Sequence, residues 1–259
     1  MHSLPQRVIA VDWSGARGTA AKKKIWLAEA DAKGLRTLKD GLTREAARDL
    51  ICAARDEDPA LVVGLDFSFS FPDWFVRAEG CTTAPEFWRH TRRVGNQWLR
   101  ERQPPFFSKG GWADAPHKAF RATDRELRAG GHRPETVFKL VGPTQVGPGS
   151  IRGMPILDDL RQAGFHIWPF DPPQMPLVLE IYPRLFYGAE VTKTNLEQRV
   201  DFLKRYPDLD EGLRLRASCS DDAFDAAVSA LAMAERREQL LGLPTEIDET
   251  TQLEGRIWF

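Results

Sequence analysis

The chain has 259 residues, enough for one large domain with a substantial core, and its 36 Lys and Arg balance 37 Asp and Glu to a formal charge of −1, which excludes a globally basic polyanion binder. Its three cysteines, Cys52, Cys81 and Cys219, are far apart with no CxxC pair, so neither a disulfide framework nor a cysteine zinc site is expected. No apolar run reaches membrane-spanning length and an Asp at position 12 interrupts the start, so the expectation is a soluble cytoplasmic protein without a membrane partner.

Residues 7–13 (RVIAVDW) are apolar and rich in β-branched side chains until Asp12 and the turn-forming Ser14-Gly15, which predicts a buried central strand. KKIWLAEA (23–30) and GLRTLKD (34–40) follow, linked at Asp31-Ala-Lys-Gly34, so a three-stranded meander is expected. Thr43 is placed to cap the next segment, whose Ala46, Ala47, Leu50, Ile51 and Ala54 form one apolar helical face, and Pro59 closes it. LVVGLDFSF (61–69) is a second buried strand that reaches an acid, Asp66, and LVLEIYP (177–183) repeats the pattern with Glu180. A helix at 195–206 and a closing helix at 221–240 complete the series.

The order β-β-β-α-β, a long stretch, then β-α-α implies an α/β fold. A right-handed crossover lays strand 61–69 parallel to its neighbour. If the two most apolar strands are adjacent, Asp12 and Asp66 emerge side by side at their carboxyl ends, where open α/β sheets bind ligands. The closing helix, SCSDDAFDAAVSALAMA, is apolar on nearly every face, yet Asp221, Asp222 and Asp225 share one side of its first turns. Ser218-x-x-Asp221 fits a capping box and the helix dipole favours acids there. Asp225 lies too far in for capping and calls for a cation or metal partner.

VIAVDWSG, VVGLDFSFSFP, VLEIYP and DDAFDAAVSALA, in this order, resemble the motifs of the family called domain of unknown function 429, described as predicted RNase H-like nucleases, over nearly the whole chain. The Asp222-x-x-Asp225 spacing is also similar to the closing helix of RuvC-type junction resolvases. The resemblance implies a single RNase H-like domain over 1–259, a mixed sheet flanked by helices, with a mainly helical insertion at about 70–175 between the fourth and fifth strands. It implies Asp12 as first-strand metal ligand, Asp66 as the carboxylate ending the fourth strand, and Asp222 with Asp225 as the helix pair. Glu180 resembles the ExYP motif, and either it or Asp66 completes the site.

Gathered carboxylates need a counter-charge. All-oxygen ligation suits Mg²⁺ or Mn²⁺, and the five histidines show no paired zinc spacing. Two such ions could drive in-line hydrolysis of a phosphodiester, with Asp12 bridging, Asp66 and Asp225 holding one ion each, and Asp222 or Glu180 orienting the water. These five acids are the expected catalytic set. Residues 77–133 carry twelve Lys and Arg against six Asp and Glu. Arg89, Arg93 and Arg100 share one helical face, and Lys118, Arg121, Arg125 and Arg128 repeat the spacing, so the arginines are candidate nucleic-acid contacts for DNA or RNA. The alternative is an aromatic core of Trp74, Trp88, Trp98, Phe106 and Phe107 with the arginines solvated outside it. VGPTQVGPGSIRG (141–153) reads as a Gly/Pro turn ahead of a helix near Met154-Pro155, without the GK[ST] ending of a P-loop. Ser68 and Ser70 beside Asp66 lack a GxSxG elbow. Alternative functions are an actin-like phosphotransferase, because DWSGARG is an acidic strand with a turn, and a non-catalytic binding module.

Overall fold

The computed structural model describes residues 4–106 and 116–259. Strand β1 (Arg7–Asp12) pairs antiparallel with β2 (Trp26–Asp31), after the single-turn helix α1 (Thr19–Lys22), and β2 pairs antiparallel with β3 (Gly34–Lys39). The β2–β3 turn lies where the sequence places it: the Asp31 carboxylate accepts from Lys33 N at 2.7 Å, and Gly34 takes φ 108°, which only glycine adopts without strain. Helix α2 (Arg44–Glu57) begins with the Thr43 hydroxyl accepting from Ala46 N at 3.1 Å. It returns the chain to β4 (Val62–Leu65), parallel to β1. The strand is shorter than 61–69, because Asp66 N donates to Val11 O as its last sheet bond and the chain then turns away.

Between β4 and β6 (Leu177–Glu180) lie α3 (Asp73–Ala78), α4 (Ala84–Glu101), a 3₁₀ turn (Pro116–Ala119), α5 (Ala122–Ala129), α6 (Gly147–Gln162) and the two-residue strand β5 (His166–Ile167). Helix α6 starts seven residues before the expected Met154, inside the Gly/Pro stretch. Pro148 in its first turn lacks only an N–H that a first turn leaves unpaired. After β6 come α7 (Arg184–Tyr187), α8 (Leu196–Leu203), α9 (Glu211–Ser218), α10 (Asp221–Glu235), α11 (Arg237–Leu241) and α12 (Glu249–Glu254). The expected helix at 221–240 is thus two helices that meet at Arg236. Among the described residues, no helix is long and apolar enough to cross a membrane.

The sheet is mixed and six-stranded, in the order β3-β2-β1-β4-β6-β5 with β4, β5 and β6 parallel to β1. Strand side chains alternate between faces, and the two cores follow that alternation. Ile9, Val11, Val63 and Leu65 pack with Ile51 of α2, Phe87 and Trp88 of α4, and Ile151 and Leu157 of α6. Val8, Ala10, Val62 and Leu179 pack on the other face with Phe202 of α8 and Phe224, Val228 and Met233 of α10. The helical stretch before β6 therefore shares the sheet's own core. Its aromatic side chains form that core around Phe71, whose ring lies 5.1–6.2 Å from those of Phe75, Phe87, Trp98, Phe106 and Phe138. Phe107 lies outside the described residues.

Helix α10 is buried from Ala223 to Ala234. Its alanines face Ala10, Ala28 and Ala30, so helix and sheet approach closely, and each buried Phe, Val, Leu or Met adds about 1.5–3 kcal/mol. Gly64 serves the same approach, since a Cβ there would lie 2.6 Å from Met233 Sδ.

Candidate metal centre

The period-two alternation explains which acids meet. Val8, Ala10 and then Asp12 point from β1 toward α10, and Val62, Gly64 and then Asp66 do the same along β4. Asp225 is in the second turn of α10. Each of Asp12, Asp66 and Asp225 presents a carboxylate oxygen within 4.8 Å of the others. Asp12 is 7 % exposed and Asp225 2 %, while Asp66 is partly open to solvent. They line a crevice of about 1700 Å³.

Glu180 belongs to the opposite face. It pairs in register with Leu65 and alternates with Leu177, Leu179 and Ile181, which lie on the α10 side. Its carboxylate accepts from Arg121 Nη1 at 2.8 Å, from Arg121 Nη2 at 2.5 Å and from Phe69 N at 2.9 Å. Arg121 also grips Asp124 at 3.0 and 3.1 Å, and the whole group is buried. Glu180 lines the crevice, but its carboxylate is held in this buried ion pair outside the close triad. One expectation is corrected: Arg121 is an internal counter-ion and not a surface contact, because it caps α5 where the expected continuous stripe breaks between the 3₁₀ turn and that helix. Asp222 lies one turn before Asp225, half-buried on the crevice wall and outside the close triad. The cap of α10 is Ser220, which accepts from Ala223 N at 3.0 Å, while the Ser218 hydroxyl donates to Leu215 O in α9.

One residue of the centre has no periodicity or motif to reveal it. Lys193, in the loop before α8, places its ammonium on Asp225 Oδ2. The buried Arg199 fixes it there, donating to Lys193 O from one nitrogen and to Ser218 O at 2.9 Å from another, so the loop is held to the end of α9. One cation is not enough for three carboxylates. Burial first, then repulsion from Asp225, Asp66 and Asp222, holds the Asp12 carboxyl far above the ordinary carboxylate range. Burial and Asp225 push Asp66 up to about 8, and burial lifts Asp225 to about 6 against the opposing pull of Lys193. Asp222 is raised by burial and by Asp221. Lys193 is raised, the attraction of Asp225 and Asp12 outweighing its own burial.

Asp225 Oδ1 is buried and has no hydrogen-bond partner among the described residues. An orphaned anionic oxygen beside two crowded carboxylates fits a hard divalent cation, and the all-oxygen donor set suits Mg²⁺ or Mn²⁺. The chain matches no known family model, no curated protein and no solved structure.

The arginines expected on the outer surface have different surroundings. Arg100 is exposed, pairs with Glu101 at 3.3 Å and lines the acidic crevice. Arg89 and Arg93, about three and two turns earlier on α4, border a separate hollow of about 310 Å³ with Glu79 and Glu86. Arg89 lies 3.4 Å from Asp158, and Arg93 reaches His90. Arg125 is exposed and donates to Phe120 O. Ser68 and Ser70 are buried, with Ser68 N donating to Ser150 Oγ at 3.0 Å.

Proposed function

We propose that the protein is a metal-dependent hydrolase of phosphodiester bonds, a nuclease of RNase H-like architecture related to the domain of unknown function 429 family. The observation that carries this reading is the convergence of Asp12, Asp66 and Asp225, one of them with a buried oxygen that has no partner among the described residues, in a crevice of about 1700 Å³. The antiparallel meander joined to parallel β4 and β6, with acids at the ends of two central strands and on α10, is consistent with the architecture that the motif resemblance implies.

Asp12, Asp66 and Asp225 would hold Mg²⁺ or Mn²⁺, with Asp222 close enough to contribute from the rim. When bound, such ions lower the pKa of water and neutralise charge on phosphoryl oxygens. The chain supplies positioning. Two neighbouring strands fix Asp12 and Asp66, and a helix packed tightly on the same face fixes Asp225, so the carboxylates need not reorganise to act. Lys193 offsets part of their repulsion. Arg100 on the crevice wall is available to an incoming phosphate.

The test is cleavage of labelled single-stranded, duplex and branched DNA and RNA with Mg²⁺, Mn²⁺ or EDTA. Cleavage that EDTA stops and Asp12→Asn abolishes is expected. Absence of cleavage of every substrate in both metals would overturn the reading.

A further inference from the structure

Three arginines gather about the loop that leaves Asp12. Arg44 Nη1, from α2, donates to Ser14 O at 2.7 Å and Ala16 O at 3.0 Å. Arg152 Nη1, from α6, donates to the intervening Gly15 O and to Pro148 O at 3.4 Å. Arg17 follows directly and makes one long bond, 3.4 Å, to Asn96 Oδ1. Among the described residues none of the three forms an ion pair. Among the described residues Arg44 and Arg152 bond only through Nη1, with no partner there for Nε and Nη2 of either.

Two guanidiniums gathered on three successive carbonyls, with Arg17 beside them, repel one another, and neutral acceptors do not cancel their charge. Burial and the nearness of Arg17 and Arg44 lower Arg152 to about 10. The assembly is closely packed. A Cβ on Gly15 would lie 2.6 Å from Pro148 C and Gly149 N, so the loop rests directly on the start of α6. Arg17 and Arg152 line the same crevice as Asp12, Asp66 and Asp225. Planar guanidiniums with free N–H edges suit phosphate oxygens.

We propose that Arg17 and Arg152, with Arg44 bracing the loop behind them, form an anion subsite that holds a backbone phosphodiester of a nucleic-acid strand beside the acidic centre. The assignment rests on the nuclease reading for its choice of ligand. It also extends that reading, because it places the strand along the wall formed by the 13–17 loop and α6. Arg89 and Arg93 lie beside a different hollow, away from this path.

The experiment measures binding of a fluorescein-labelled single-stranded 12-nucleotide DNA in EDTA, where cleavage plays no part, across a salt series. Arg17→Gln carries the test, since its single weak bond makes its loss harmless to the fold. Arg152→Lys keeps the charge while removing the fork. Arg36→Gln, which loses only the surface pair with Asp31, is the control. Each subsite variant should lose about tenfold in affinity. The logarithmic salt slope of Arg17→Gln should fall by about 0.7, one phosphate's share for a single strand. The control should match wild type, and an uncharged methylphosphonate strand of the same sequence should not bind. Wild-type affinity and slope in Arg17→Gln and Arg152→Lys, both folded by circular dichroism, would overturn the subsite and leave the arginines as braces of the loop. Saturable binding of inorganic phosphate, followed by isothermal titration, with no binding of the labelled DNA would overturn its assignment to a strand. The outcome is separable from the nuclease reading: an intact subsite with no metal-dependent cleavage would sink only the latter, and cleavage with an unchanged salt slope only the former.

Discussion

Replacing Arg121 with methionine should unfold the protein far more readily than any surface change, because the side chain is fully buried and holds two acids. Its guanidinium donates to both oxygens of Glu180, both of Asp124 and the carbonyl of Glu254. Methionine fills much of the volume but leaves Glu180 and Asp124 as buried carboxylates with no cation. Breaking a buried pair in this way costs about 3–5 kcal/mol. For a domain of this size that corresponds to a fall in Tm of about 6–20 °C. Urea and thermal melts followed by circular dichroism measure it. The sign with pH follows from Glu180, whose carboxyl burial already raises despite Arg121. Without the arginine it rises further, so the protonated form is favoured in the folded state. The variant's deficit should then shrink as pH falls toward the ordinary glutamate value of 4.5, and Glu180→Gln added to Arg121→Met should recover part of the loss at neutral pH. A single variant within about 1 kcal/mol of wild type at pH 7 would refute the assignment of Arg121 and Glu180 to a structural pair.

Other consequences concern the centre itself. In EDTA the folded state holds Asp66 near 8 and Asp225 near 6 against ordinary values of 3.8. Groups raised in the folded state contribute stability below the unfolded value and lose it as pH rises, so Tm should fall between about pH 4 and 8, and Mn²⁺ should flatten that fall; a Tm that rises over this window in EDTA would contradict the crowding. Lys193→Met should lower metal-free stability and enlarge the stabilisation by Mn²⁺, since the ammonium and the ion compete for Asp225; thermal melts with and without metal read both changes. Gly15→Ala should cost about 1–3 kcal/mol by overpacking and weaken binding of the labelled DNA, because backbone atoms of Pro148 and Gly149 stand in the way of the methyl; melts and fluorescence anisotropy check it.

Much of this arrangement is legible in sequence because it follows from short-range rules. The meander with its turn at Asp31–Gly34, the Thr43 cap and the parallel placement of β4 beside β1 each rest on local chemistry or on handedness. The adjacency of Asp12 and Asp66 follows from strand order. The direction of Glu180 does not, because it depends on the register of β6 against β4, and a shift of one residue would have turned it toward Asp66. Arg121 was spaced like Arg125 and Arg128, but spacing cannot show that α5 begins after it. Lys193 carries no pattern at all, for its position is set by Arg199, which binds its carbonyl across a loop. The helical start at Gly147 is hidden by glycine and proline, which are weak helix formers yet are tolerated in a first turn packed against Trp13–Gly15.

The central claim is that Asp12, Asp66 and Asp225 form one cation site, and isothermal titration of Mn²⁺ into metal-free protein at pH 8 tests it most directly. Saturable binding to wild type is expected, strongly weakened in Asp12→Asn and in Asp225→Asn while both variants remain folded. Absence of saturable binding to wild type up to millimolar Mn²⁺, or the same isotherm in all three proteins, would contradict it.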